Sequence, residues 1–424
     1  MIIEKQLKNG IKLIMHPIDY LKSATVGIII KTGSYYENTE NNGISHFLEH
    51  MLFKGTKNLS SKEIAEKIDD IGGQLNAFTS KEHTCFYAKV LGEHIDIGID
   101  VLNDMLTNSI FDPIEIEKEK GVISEEISMY QDFPEDLVFE ILNTNMLKNT
   151  SLSMPILGVE DTIKTFNRDI LLNYFREHYN SKNMVISVVG NFNPQDMLDK
   201  LNNTFGLLNE SNGVKNNIVD FDLSKNNTIE GINKDIEQLN LCLGFYGPET
   251  YSKDMFPVLI VNNILGGTMS SRLFQKIREE KGLVYTIESS LTSYNDCGMI
   301  SIYAGLNIDN LPIVLQLVKE EINNLKDYSL SDIELKKAKE NLKGSYILSL
   351  ESSFNKMFDM GKNLINDKPQ ETPEEIIDII NKITKDDIKN VIDKYLDWSH
   401  LNITYVGKVK DQKKFEKKII DIIS

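Results

Sequence analysis

GISHFLEHMLFKGT, from Gly43 to Thr56, sets two histidines and a glutamate into an otherwise apolar segment. Charged groups in such a segment cost free energy unless they are paired or bind something. On a helix, residues three and four apart share one face, and His46, Glu49 and His50 have that spacing. Two imidazoles one turn apart can hold one Zn2+ through nitrogens at about 2.0–2.1 Å. A catalytic zinc takes a third protein ligand and keeps a position open for water, whose pKa falls to roughly 7. A carboxylate beside that water can take its proton and later protonate the leaving amine. Glu49, between the two histidines, is placed to do this. The alternative is a buried polar cluster, but two histidines at ligand spacing around a glutamate favour the metal.

The third ligand is sought among the acids of PIEIEKEKGVISEEISMYQ, Pro113 to Gln131: Glu115, Glu117, Glu119, Glu125 and Glu126. Val122, Ile123, Ile127 and Tyr130 give this helix its expected inward side. Glu126 has Val122 and Ile123 one turn before it and Met129 and Tyr130 one turn after it. Glu125 has Gly121 and Ser128 among its turn neighbours, so Glu126 is preferred and Glu125 stays open. Glu119, two turns before Glu126 on the same stripe, is a candidate to support a metal ligand from behind. Glu115, Glu117 and Glu125 also fit plain surface acids.

The chain has 424 residues, enough for two to four domains. Its net charge of −17 argues against a nucleic-acid binder, which needs a basic patch. No uninterrupted apolar run reaches the ~18 residues of a membrane-spanning helix. The start, MIIEKQLKNGIKLIMHP, reads as a hairpin around Lys8-Asn9-Gly10 and has neither a signal peptide's nor a transit peptide's composition. A cytoplasmic, bacterial protein is expected. Cys85, Cys242 and Cys297 are far apart and form no CxxC, as buried thiols of a reducing compartment would be.

Strands and helices alternate through the first half. SATVGIIIKTG is β-like. Ser60 and Glu63 make a capping box for a helix with Ile64, Ile68 and Ile71 on one face, ended by Gly72-Gly73. QLNAFTS and HTCFYAKVL read as paired strands, with a helix from about Gly92 to Asn108 after them. Asp112 and Pro113 open the acid-bearing helix as N-cap and first residue. The second half echoes the first. YNSKNMVISVVGNF follows a helix ending at Tyr179, as YLDWSHLNITYVGKV follows one ending at Tyr395. GLVYTIESSLTSYNDCGMISIYAGL answers the paired strands. We expect two copies of one α+β unit, residues 1–212 and 229–424, joined by a polar, Asn-rich linker over 213–228. HxxEH occurs only in the first, so one half should hold the metal. ILGGTMSS, Ile264 to Ser271, lacks the GxxxxGK[ST] of a phosphate loop and reads as a helix break. His83 reads as a polar strand residue.

HxxEH reverses the HExxH of other zinc peptidases and is the inverzincin signature. The chain resembles the pitrilysin-type zinc peptidases, in particular the branch of mitochondrial processing peptidase and its bacterial relatives. GISHFLEHMLFKGT is similar to that branch's zinc helix, GGQLNAFTSKEHTCFY to its active-site edge strand, EKEKGVISEEI to its third-ligand segment and GGTMSSRLFQKIREEKGLVYTI to its second-half substrate element. The resemblance implies a zinc metalloendopeptidase acting on extended or unfolded peptides and short proteins, with one Zn2+ per chain held by His46, His50 and Glu126. It implies Glu49 as general base and Glu119 as the accessory glutamate. Two homologous α+β domains would close as a clam-shell around a chamber. The peptide would add as a strand at Asn76 and Ala77, while Arg278 and Tyr285 would orient it and stabilise the oxyanion. Single-chain members are often homodimers. The same family includes metal-less scaffolds, which have lost ligands or the base. This chain keeps ligands, base, Arg and Tyr, so a catalytically silent peptide-binding or assembly scaffold is the alternative reading.

Overall fold

The computed structural model describes residues 1–208, 228–327 and 330–423. The expected linker thus lies almost wholly outside the described residues. In chain order the first half carries β1 (Ile3–Gln6), β2 (Lys12–Pro17), β3 (Ser23–Ile30), α1 (Ile44–Leu52), α2 (Ser61–Asp69), β4 (Gln74–Thr79), β5 (Thr84–Leu91), α3 (Ile95–Asn108), α4 (Pro113–Asp132), α5 (Pro134–Met146), α6 (Glu160–Thr165), α7 (Arg168–His178), β6 (Met184–Gly190) and α8 (Pro194–Asn203). The second carries β7 (Ile229–Asn233), β8 (Leu239–Gly247), α9 (Met255–Leu265), β9 (Val284–Ser293), β10 (Gly298–Leu306), α10 (Leu311–Lys326), α11 (Asp332–Ser349), α12 (Ser353–Ile365), α13 (Pro373–Lys382), α14 (Lys385–Tyr395), β11 (Asn402–Gly407) and α15 (Gln412–Ile423).

Local chemistry sets many of these boundaries. The opening hairpin closes through Gly10 at φ +90°, a left-handed conformation that glycine adopts freely. The Ser60–Glu63 capping box starts α2, and the Asp112 carboxylate accepts the Ile114 N–H at the start of α4. A 3-10 turn over Gly92–His94 precedes α3.

Two sheets carry the duplicated unit. The first runs β1-β2-β6-β3-β5-β4 and the second β7-β11-β8-β10-β9. Leaving out β1, the orders correspond strand for strand. So do the directions: β2–β6 and β7–β11 pair in parallel, and the other neighbours pair antiparallel. Both sheets therefore end in an open edge strand, β4 and β9. The repeat expected from pattern is present as topology.

The compact units exchange a segment between the sequence halves. Described residues within 1–128, 154–208 and 348–371 form one unit; those within 129–153, 228–347 and 372–423 form the other. The exchange follows from sheets buried on both faces. In the first sheet Leu13, Met15, Ile28, Ile30, Phe86 and Ala88 face the core that holds α1–α4. The alternate residues Ile14, Ile29, Cys85 and Val185 point the other way, and α12 covers them with Met357, Met360 and Ile365. Phe354 and Phe358 of α12 also meet Phe78 of β4, at ring-centroid distances of 6.3 and 5.0 Å. In the second unit α5 plays the same part, burying Val138, Leu142 and Met146, with the Tyr246 hydroxyl donating to the Met146 carbonyl.

A glycine makes room for each exchanged helix on the corresponding strand. A Cβ on Gly27 of β3 would stand 2.0 Å from Met357 Sδ, and one on Gly244 of β8 would stand 2.5 Å from Met146 Sδ. All three cysteines are buried thiols. Among the described residues no helix is long and apolar enough to cross a membrane.

Gly27→Val should force Met357 off its seat and lower stability by about 1–3 kcal/mol, the usual cost of overpacking. A lower urea midpoint with an unchanged slope would register it. An unchanged midpoint would mean that α12 does not need this close approach.

Candidate metal centre

Gly43, at φ +94°, precedes α1 and offers no side chain to cap it. A residue further back does so. Glu37 is buried, and its Oε2 accepts from the Gly43 N–H at 2.7 Å and from Asn42 Nδ2 at 3.0 Å, while its Oε1 accepts from the Ser45 N–H at 2.9 Å. Burial pushes this carboxyl above its ordinary value, and the hydrogen bonds from Gly43, Ser45 and Asn42 oppose the shift. A carboxylate facing the positive end of a helix is well placed. Phe47, Leu48, Met51 and Leu52 then seat α1 in the core, which leaves His46, Glu49 and His50 on one side.

On that side His46 is buried and His50 half-buried. Their ring centroids lie 4.6 Å apart. Each Nε2 is 3.7 Å from Glu126 Oε2, and the three donor atoms all lie within 4.8 Å of one another. Among the described residues this is the one group of three or more His, Cys, Asp or Glu side chains so gathered. Ligands at about 2.0–2.1 Å around one tetrahedral ion stand about 3.3–3.4 Å apart, so small side-chain adjustments close the set. Burial, then the neighbouring His50, lowers the His46 pKa to about 3, which keeps it neutral as a ligand must be. Among the described residues the buried His46 Nδ1 has no hydrogen-bond partner. Two imidazoles and one carboxylate form the donor set of a catalytic zinc, and the residues present fit that ion.

Of the five acids considered on α4, Glu126 reaches the histidines and Glu125 is exposed. The inward side of α4 differs from the expected one. Its buried stripe is Ile116, Glu119, Ile123 and Ile127. Val122 is 49% and Tyr130 36% exposed; Val122 falls outside that i, i+3, i+7 stripe, and Tyr130 follows its last buried member. Glu126 lies beside the stripe, half-buried, where it can face α1.

Glu119 is buried in the stripe. Its Oε2 is 3.0 Å from His50 Nδ1, and its Oε1 is 2.6 Å from Lys54 Nζ. A His Nδ1–H donated to a carboxylate leaves Nε2 free toward the centre.

Glu49 lies outside the donor group. Its Oε2 accepts from the Thr79 hydroxyl at 2.5 Å. Burial raises its pKa, against the hydrogen bond from Thr79 and the charge of His50. Thr79 is the last residue of the open edge strand β4, two positions beyond Ala77 and on the same face. Asn76 is exposed, and its Oδ1 accepts from the Ala77 N–H at 2.8 Å.

In the second unit Arg278 lies on a π-helical turn, Phe274–Glu279, that follows the Gly266-Gly267 break after α9. Its Nε donates to the Tyr285 carbonyl at 2.9 Å, and its guanidinium lies 4.6 Å from the centre of the Phe274 ring. Tyr285 stands near the start of edge strand β9, with 72% of its surface exposed. The backbone contact explains the spacing of seven residues: the Arg reaches back to the strand that follows its own turn. His83 lies in the connection just before β5 rather than in the strand. It is buried, with Nε2 3.4 Å from Asn366 Nδ2, and takes no part in the donor group.

Sequence reasoning missed Glu37, Lys54 and Thr79. Only Lys54 had a local signal, standing four residues after His50; the other two act through tertiary contacts.

Comparison with known proteins places the chain in a family. Residues 14–160 match the family described as Insulinase (Peptidase family M16), and residues 165–342 match the Peptidase M16 inactive domain. The chain belongs to the M16, or pitrilysin-type, peptidase family. It is 43% identical over 383 residues to the uncharacterized zinc protease YmxG of Bacillus subtilis, covering 90% of this chain and 93% of the relative. It is 38% identical over 390 residues to an uncharacterized zinc protease of Rickettsia felis, covering 92% and 93%. Its fold matches the crystal structure of a protease from Helicobacter pylori at a TM-score of 0.89 and 21% identity, covering 96% of this chain and 99% of that one.

Glu126→Gln should weaken zinc binding by more than the ~10–100-fold that loss of an outer-shell partner costs, and Glu125→Gln should leave it unchanged. Competition with a chelating dye would measure both. Equal losses would remove the distinction between the two acids.

Proposed function

We propose that this protein is a zinc metalloendopeptidase that hydrolyses extended or unfolded peptides and short proteins. The observation that carries the reading is one arrangement in the first unit. His46, His50 and Glu126 converge, Glu49 stands beside them without joining them, and the open edge strand β4 reaches Glu49 through Thr79. In the proposal His46, His50 and Glu126 hold one zinc ion, which when bound activates a water and polarises the scissile carbonyl. Glu49 takes the proton from the attacking water at its carboxylate and returns it to the leaving amine. Asn76 and Ala77 offer backbone groups to a peptide laid along β4, a mode that selects extended chains over folded ones. The zinc-protease names of the relatives and the M16 membership support peptidase chemistry.

Arg278 and Tyr285 complete the proposal from the second half: Tyr285 as a donor to the developing oxyanion, Arg278 as its anchor and as an orienter of substrate. Their support is the family resemblance and the direct bond from Arg278 to the Tyr285 backbone. A fragment of residues 1–212 would lack α12, which covers one face of the first sheet. The two-half claim is therefore best tested on the full chain.

Glu49→Gln should keep zinc and fold yet lose at least ~10²-fold in kcat on a pool of unfolded peptides. Loss of zinc together with activity would make Glu49 a ligand instead. A zinc-loaded wild type that binds the pool without cleaving it would favour the scaffold reading. Tyr285→Phe should lower kcat by ~10–10³-fold, up to the usual cost of one oxyanion donor, and Arg278→Ala should raise KM as well. Wild-type kinetics in Tyr285→Phe would remove the second half from the chemistry.

A further inference from the structure

Glu119 is 2% exposed, and both its oxygens are engaged, one by an imidazole and one by Lys54. Among the described residues Lys54 is the one lysine or arginine within ion-pair distance of it. Lys54 is also held where it stands. α1 ends at Leu52, the Lys54 N–H donates to the Met51 carbonyl, and Gly55 at φ +116° then turns the chain away. Lys54 thus stands just past the negative end of α1, where a cation is favoured, with its side chain only partly exposed.

The pair joins the two elements that carry the donor group. His46 and His50 lie on α1, and Glu126 lies on α4, two turns beyond Glu119. Resting on the zinc reading above, we propose that Lys54 is a positioning residue of the metal centre. Through Glu119 it orients the His50 ring and fixes α4 against the end of α1, and so sets the place of Glu126 relative to both histidines. The unbroken chain runs Lys54 Nζ, Glu119 Oε1, Glu119 Oε2, His50 Nδ1, with His50 Nε2 turned to Glu126. Removing the cation leaves a buried carboxylate without its counter-charge, which then has reason to turn away from His50.

The test is the zinc affinity of the full-length protein, measured by competition with a chelating dye and needing no substrate. Lys54→Met keeps the stem and removes the charge; zinc should bind ~10–100-fold more weakly, as for loss of an outer-shell partner. Lys54→Arg should restore the wild-type affinity. In a Glu119→Gln background Lys54→Met should have no further effect, because the lysine acts through that carboxylate. If Lys54→Met does not fold, Lys54→Gln is measured in the same way. Wild-type affinity in the charge-removing variant, or a loss that persists undiminished in the Glu119→Gln background, would overturn the inference and leave the zinc reading intact. A wild type that binds no zinc would overturn both.

Discussion

The centre depends on a short helix whose polar face must be held still. α1 has nine residues, too few to be stable alone in water. Its first turn has no capping side chain of its own, and its polar triplet would be costly in the core without partners. The solution is distributed. Glu37 takes the free N–H groups at one end, the apolar face is buried, and the Lys54–Glu119 pair grips the other end. Only with both ends fixed do His46 and His50 present their Nε2 atoms to the same carboxylate oxygen. The strong lowering of the His46 pKa has the same origin, since the burial that seats the helix also keeps that imidazole neutral.

Duplication gives this arrangement its frame. Each half supplies the same five-strand order, a corresponding edge strand, and on the corresponding strand a glycine facing a methionine of an exchanged helix. Among the described residues the gathered His46, His50 and Glu126 have no counterpart cluster in the other copy, which keeps the edge strand and places a tyrosine near its start with an arginine bonded to it. One plan thus yields two different surfaces: an edge beside a donor group in the first unit, and an edge beside a guanidinium in the second.

What the sequence made legible follows the range of the interaction. The hairpin at Gly10, the Ser60 capping box, the start of α4 at Asp112 and the HxxEH face rest on contacts within a few residues, and all could be read directly. Helix periodicity prefers Glu126 to Glu125 but leaves Glu125 open, and it leans on Val122 and Tyr130 facing inward, which are exposed; the family resemblance is what singles out Glu126. The buried stripe runs instead through Ile116, Glu119, Ile123 and Ile127. The reciprocal covering of the sheets by α5 and α12 left no local mark, since each helix finds its sheet in the other half of the chain. Glu37 and Thr79 were silent for the same reason. An acid seven residues before a helix and a threonine at the end of a strand are common, and only the folded chain brings them to α1.

The central claim is that one zinc ion sits between His46, His50 and Glu126, with Glu49 outside the coordination sphere. Anomalous diffraction from crystals of the zinc-loaded protein, collected on both sides of the zinc absorption edge, tests it most directly. The account predicts a single strong peak per chain at about 2.0–2.2 Å from the two Nε2 atoms and a Glu126 oxygen. A peak bound by Glu49 or Glu125 instead, or no peak at this group in fully loaded protein, would contradict it.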